Sequence, residues 1–348
     1  MGRNEELPPP GAIDRDGCVS FTLYAPGKKS VHLIGDFNDW DHQADPMREV
    51  DDGLWTVEKE LSRAAYEYQF LIDGELVVCD PYARYVEEEP GDRPRKAIVK
   101  PREDPYGWQH DQWDRPAFGD LLIYEMHIAD FTPQRDFREA VERLGYVCDL
   151  GMNAIELMPV FAIHENKGWG YTPTYLFAPN EDYGTPDELR WLVDEAHGQG
   201  LAVILDMVLA HTGEKHPFNQ MYPYDRSPWY GPGPAGGNEY GLPQLDYSKP
   251  ATRAFVRDVL EYWLKEYHVD GFRFDYLTNI SVTAEGYGVP TLTWATRQTR
   301  EDAFNIGEHL PEDPGLMLSA NMDGAWHVRF SYAIKSLLCQ CEIGGYSW

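Results

Sequence analysis

LAVILDMV, residues 201–208, is an apolar run broken by a single acid, Asp206, and it reads as a buried strand. Similar runs lie on either side of it: LLIYEMHI (121–128), NAIELMPV (153–160), DGFRFD (270–275), FNIGEH (304–309) and a weaker one at 323–327. Between them the pattern turns helical, near residues 137–150, 186–198 and 250–267. Strand and helix in regular alternation argue for a parallel sheet buried on both faces, hence an α/β fold over residues 120–348. The stretch 211–249 interrupts this rhythm. It is rich in Pro and Gly and too long for an ordinary connection, as expected of a loop that builds a cleft.

The rhythm upstream is different. VSFTLYAP (19–26), KSVHLIGDF (29–37), LWTVEKEL (54–61), AYEYQFLID (65–73) and ELVVCD (75–80) are short strand patterns, with turn signals at Asp51-Asp52-Gly53 and Asp73-Gly74. Residues 17–100 therefore predict an all-β sandwich. Residues 1–16 read as a Pro-rich lead-in, and 101–119 as a linker laid over a surface.

Composition narrows the partners. A hydrophobic fraction of 43% over 348 residues supplies a full core. The formal charge of −28 repels polyphosphate and argues against nucleic acid. No apolar run approaches the ~20 residues that cross a bilayer, so no membrane partner is expected. The opening MGRNEELPPP lacks a charged-then-apolar layout, and a cytoplasmic location is expected. Five scattered cysteines fit free thiols and no zinc spacing. Eleven Trp and 22 Tyr offer flat faces for stacking on sugar rings, although core and surface filling uses the same residues.

Three acids stand at strand ends: Asp206 in LAVILD, Asp275 in GFRFD and Glu308 in FNIGE. In a β/α barrel those ends converge on one face, where catalytic groups sit. Carboxylates aimed at one point repel each other, a cost that a reaction would justify. Arg273 precedes Asp275 by two residues, so both side chains leave the strand on the same face. A guanidinium there would keep Asp275 ionised and oriented, and a buried structural Arg–Asp pair fits the same spacing.

LDMVLAH (205–211), GFRFD (271–275) and IGEH (306–309) resemble, in order and spacing, three of the four short regions of the alpha-amylase superfamily. YEMHIADFT (124–132), GMNAIELMPV (151–160), GYTPTYLFAPNEDYGT (170–185) and QLDYSKP (244–250) are similar to further segments of that family. VHLIGDFNDWD (31–41) followed by YEYQFLIDGE (66–75) resembles a family 48 carbohydrate-binding module, as found ahead of branching and debranching enzymes. The resemblance implies a β-sandwich followed by a (β/α)8-type barrel, and retaining cleavage of α-glucosidic bonds in starch or glycogen, by hydrolysis or by glucan transfer. It implies Asp275 as nucleophile and Glu308 as acid and base. Tyr171, Asp206, His211, Arg273 and His309 would bind the sugar, with Trp40 and Trp55 as sugar platforms on the module.

Two departures shape the expectations. Ala210 stands where the classical amylases carry an Asn that ligates calcium, so no metal and no cofactor is expected. The fourth region, a His-Asp pair, has no counterpart, and DGAWHVRF (323–330) resembles the sixth strand. An incomplete barrel of about six of the eight units is therefore expected, with self-association through its open edges. The alternative function is a catalytically impaired, glucan-binding fragment of such an enzyme.

Overall fold

The computed structural model describes residues 9–87, 94–164, 168–231, 237–280 and 282–339. Two antiparallel sheets come first. One holds Gly11–Arg15, Cys18–Tyr24, Leu54–Glu60 and Arg48–Asp51 in that spatial order. The other is built around Val31–Gly35, Tyr66–Ile72 and Lys96–Val99. Strand alternation sends Val19, Phe21 and Leu23 inward from the first sheet and Tyr68, Phe70 and Ile72 from the second, and all six are buried. Asp73 and Gly74 both take positive φ (52° and 75°), the left-handed backbone that turns the chain within the loop 73–75 between the paired Ile72 and Leu76.

Two expectations change here. Gly11–Arg15, read as lead-in, is a strand paired along its whole length with Cys18–Tyr24. Its five residues are too few, and too mixed in polarity, to show alternation without their partner. Trp55 cannot be a sugar platform: it is 7% exposed, belongs to the sandwich core and donates its indole N–H to the Ala25 carbonyl at 3.3 Å. Its inward direction follows from its register opposite Leu23. Trp40 is half-buried, with its indole on Asp36 at 3.1 Å and the Lys96 ammonium 5.3 Å from its ring.

The second unit is a six-stranded parallel sheet whose spatial order equals its chain order: Ile123–Met126, Ala154–Leu157, Ala202–Met207, Gly271–Phe274, Phe304–Gly307 and Gly324–Ala325. Ile155, Leu157, Val203, Leu205, Phe272 and Phe274 pack in the large core that includes the helices. Ala154, Ala202, Ile204, Phe304 and Ile306 form a second cluster on the opposite face. Both faces are dry, which is why these runs do not alternate. The first and last strands do not pair with one another, so among the described residues the sheet stays open. No described helix is long and apolar enough to cross a membrane.

The covering helices carry their own start signals. Pro186–Gly198 opens with a capping box between Thr185 and Glu188, has Pro at its first turn, and buries Leu189, Leu192, Val193 and Ala196 at helical spacing. Residues 101–119 run over the sheet unit: Trp113 stacks on His197 at 4.5 Å, and Arg115 donates to the Asp302 carbonyl at 2.7 Å. The sandwich is docked by Tyr82 on Asp258 (3.1 Å), by Tyr222 on the Pro26 carbonyl (2.7 Å) and by Arg95, which is 1% exposed, ion-pairs with Glu181 and donates to the Ile163 carbonyl.

Trp55→Ala should destabilise the protein by about 3–5 kcal/mol, because it empties a packed core site. Trp40→Ala should cost far less. Urea denaturation followed by circular dichroism reads both, and equal losses would show that Trp55 does not pack as described.

Candidate functional site

The register of the sheet builds the site. Asp206 pairs with Arg273, and Arg273 with Ile306. In a parallel ladder, residues at one level share a face, and so do residues two further along. Asp275 lies two past Arg273, and Glu308 two past Ile306. Backbone N–H groups of Asp275 and Glu308 continue the ladder onto Met207 and Phe274 at 3.1 and 3.0 Å, fixing both acids one layer above Asp206.

Arg273 joins the three. One of its terminal nitrogens donates to Asp206 at 2.6 Å and to Asp275 at 2.8 Å; the other reaches Glu308 at 3.1 Å. Asp206 and Arg273 are buried, Asp275 is 9% exposed, and the Glu308 side chain keeps 20% of its surface. Glu308 also accepts the Tyr276 N–H at 3.1 Å, which the left-handed backbone of Tyr276 (φ 52°) turns toward it. Burial raises Asp206 to about 6, against the pull of Arg273. Burial, and then the charge of Asp206, raise Asp275 to about 7. The guanidinium is held charged despite its burial by Asp206 first and then by Glu308 and Asp275.

Tyr171 arrives on the loop after the second strand and donates its hydroxyl to Asp206 at 2.6 Å. Gly170 makes this approach possible: its φ is 91°, and a Cβ there would meet the Pro159 carbonyl oxygen at 2.8 Å. His211 is 3% exposed and donates its Nε2–H to the Tyr171 carbonyl at 2.8 Å. Burial holds it below the usual histidine range, hence neutral. His309, expected to line the pocket, is turned away. Its ring donates to the Pro311 carbonyl at 2.7 Å, and it is not among the residues around the cleft. Successive residues leave an extended chain on opposite sides, so a neighbour of Glu308 faces elsewhere. Ala210 is fully buried, and among the described residues no group of three His, Cys, Asp or Glu could hold a metal ion.

The cleft above these residues has a volume of about 840 Å³. Its lining includes residues that the sequence alone did not single out. Trp326, at the end of the sixth strand, stands 4.4 Å from the Arg273 guanidinium. Tyr276 is hydrogen-bonded to Glu239 of the long loop, whose neighbour Tyr240 is 68% exposed. Trp169 is 59% exposed. Strand-end position could have pointed to Trp326; nothing local marks Glu239 or Tyr240. Glu156 was also missed. It lies on the second strand, level with Ile204, one layer beneath Asp206, and is 1% exposed with one carboxyl oxygen lacking any partner. Burial and then the charge of Asp206 push it to about 9, so it is a neutral acid near pH 7.

A parallel β/α sheet with acids gathered over its C-terminal strand ends, beneath an aromatic-lined cleft and beside a docked β-sandwich, defines an α/β-barrel-type protein with an appended module. Residues 125–230 match the alpha amylase catalytic domain, and residues 11–83 match carbohydrate-binding module 48, the isoamylase N-terminal domain. In both parts the chain is similar to proteins of the alpha-amylase family. It is 32% identical, over 96% of its length and 58% of the relative's, to a malto-oligosyltrehalose trehalohydrolase from Saccharolobus solfataricus. It is 35% identical, over 80% of its length and 40% of the relative's, to a 1,4-alpha-glucan branching enzyme GlgB from Corynebacterium jeikeium. A Salmonella typhimurium structure solved as a candidate alpha amylase superposes with a TM-score of 0.76 at 28% identity, over 94% of this chain and 55% of that one. The chain thus spans about half the length of the curated relatives it matches.

Glu156→Gln should stabilise the protein increasingly as pH rises. The folded Glu156 keeps its proton up to about 9, whereas the unfolded one releases it near 4.3. Between these values the folded state binds more protons, so the wild type loses stability with rising pH. Melting temperatures of the two proteins should nearly coincide at pH 4 and diverge toward pH 9. A constant gap would place Glu156 in a polar setting that ionises normally.

Proposed function

We propose that this chain carries the chemistry of a retaining α-glucan-active enzyme, cleaving α-glucosidic bonds of starch- or glycogen-like chains. The supporting observation is the sharing of one guanidinium by Asp275 and Glu308, which holds the two carboxyl groups side by side over an aromatic cleft. Retaining pairs stand ~5–5.5 Å apart, close enough for one carboxylate to attack the sugar while the other protonates the leaving oxygen.

In this scheme Asp275 attacks the anomeric carbon, and Glu308 gives its proton to the glycosidic oxygen as that bond breaks. The result is a glycosyl ester on Asp275. Glu308, now a carboxylate, takes a proton from the incoming nucleophile, which displaces Asp275 and restores both groups. Water as nucleophile gives hydrolysis; a glucan hydroxyl gives transfer, and the relatives, a trehalohydrolase and a branching enzyme, span both outcomes. Tyr171 and Asp206 would receive the sugar beside the cleaved bond, with Arg273 fixing Asp206 in place. His211, neutral and tied to the Tyr171 backbone, would hold that wall of the pocket.

Asp275→Asn should lower turnover of soluble starch on the order of 10⁴-fold or more, since the nucleophile is gone. Glu308→Gln should lose starch turnover too, yet still be glycosylated by an activated aryl α-glucoside whose leaving group needs no proton. A reducing-sugar assay and mass spectrometry of the trapped ester read the two. Starch turnover by Asp275→Asn at the wild-type rate would overturn the proposal.

Asp275 must be ionised to attack, and its folded value is about 7. The kcat/KM of the wild type should therefore fall about tenfold per pH unit well below 7. A profile flat from pH 7 to 5 would exclude Asp275 as the group that must lose its proton.

A further inference from the structure

Tyr276, directly after the nucleophile of the proposed reaction, holds a left-handed backbone, φ 52°, although it is not glycine. That conformation is costly for a residue with a side chain and persists only where its surroundings enforce it. Here it aims the Tyr276 N–H at one carboxyl oxygen of Glu308, at 3.1 Å, while Arg273 meets the other oxygen at 3.1 Å. One donor on each oxygen sets the plane of the carboxyl group and leaves lone pairs free to carry a proton.

The turn is enforced from two sides. Toward the fifth strand, the Leu277 N–H meets the Glu308 carbonyl at 2.8 Å, and Thr278 and Leu310 exchange hydrogen bonds of 3.0 and 3.1 Å. Toward the long loop, the Tyr276 hydroxyl donates to the Glu239 carboxylate. Burial, and then Glu239, raise the proton affinity of that hydroxyl, so it stays a donor. Glu239 sits in a turn closed by Asn238, whose side chain accepts the Tyr240 and Leu242 N–H groups at 2.9 and 3.1 Å and whose own N–H meets the Leu242 carbonyl at 2.8 Å. The turn is tied down next to it, where the Thr212 N–H meets the Pro243 carbonyl at 3.0 Å and Gln244 donates to the Asn279 carbonyl at 2.9 Å. Glu239 is therefore a fixed anchor.

We infer that Tyr276 and Glu239 are positioning residues for Glu308: the hydrogen bond between their side chains braces the turn whose N–H orients the acid. This role presupposes the reaction proposed for the cleft, and it gives the long loop a share in proton transfer as well as in shaping the cleft. A carboxyl group held in one plane keeps its proton aligned with the leaving oxygen, whereas one that rotates is aligned for only part of the time. The consequence depends on the leaving group. A poor one waits for the proton of Glu308, and a good one departs as an anion without it.

The test compares two aryl α-maltosides of similar size, a methoxyphenyl one that needs the proton and a dinitrophenyl one that does not. Tyr276→Phe keeps the ring and the backbone N–H and removes only the hydroxyl; Glu239→Ala removes the other half of the contact. Each should lower the ratio of kcat/KM for the methoxyphenyl substrate to that for the dinitrophenyl substrate about tenfold. The double variant should lower it no further than either single one, because all three remove the same interaction. Glu239→Gln, whose amide oxygen still accepts the hydroxyl, should keep most of the wild-type ratio. A ratio unchanged in both single variants, or equal losses on the two substrates, would overturn the inference and leave the proposed reaction standing. A wild type that forms no glycosyl ester from the dinitrophenyl substrate would remove that reaction and the inference with it.

Discussion

One guanidinium, Arg273, meets three carboxyl groups that would otherwise repel each other in a dry interior. It can do so because the fourth strand is flanked by the third and the fifth, so that a single long side chain reaches an acid on each neighbour and one on its own strand. A single positive charge against three acids leaves the group electrically short. Burial therefore raises the proton affinity of Asp206 and Asp275, to about 6 and about 7.

The rest of the sheet unit serves that arrangement. The register of the parallel ladder sets Asp206 and Arg273 at one level and Asp275 and Glu308 above them. Helices close one face and the Ala154–Ile306 cluster fills the other, which keeps water away beneath the acids. Glu156, under Asp206, extends the same logic: a fourth carboxyl in this place is tolerable only while neutral. The loops then add what the strands cannot. Gly170 brings Tyr171 onto Asp206, and Glu239 reaches from the long loop to Tyr276.

The sandwich bears on this site at a distance. It is fastened by polar contacts from Tyr82, Tyr222 and the buried Arg95, and by ring packing of Tyr82 on Phe177 at 4.7 Å. Such contacts fix one body on the other and leave a seam between them that side chains do not fill. Its walls come from three separate parts of the chain, so they exist only when sandwich and sheet unit are docked.

Much of this was legible in the sequence, for a physical reason. A strand buried on both faces must be apolar throughout, so an acid near its end is conspicuous; LAVILDMV, GFRFD and FNIGE announce both the sheet and Asp206, Arg273, Asp275 and Glu308. Hairpin backbone is equally local, and Asp73-Gly74 marks its turn by residue type alone. What the chain could not show by itself is direction and cover. Trp55 and Trp40 look alike in sequence, and only the partner strand decides that Trp55 points into the core. His309 follows Glu308 directly, and only the course of the chain after the strand turns it toward Pro311. Gly11–Arg15 gains its identity from Cys18–Tyr24, and Trp326, Glu239 and Tyr240 join the cleft from far along the chain. Local chemistry is written residue by residue, whereas burial depends on what the rest of the chain lays over each side chain.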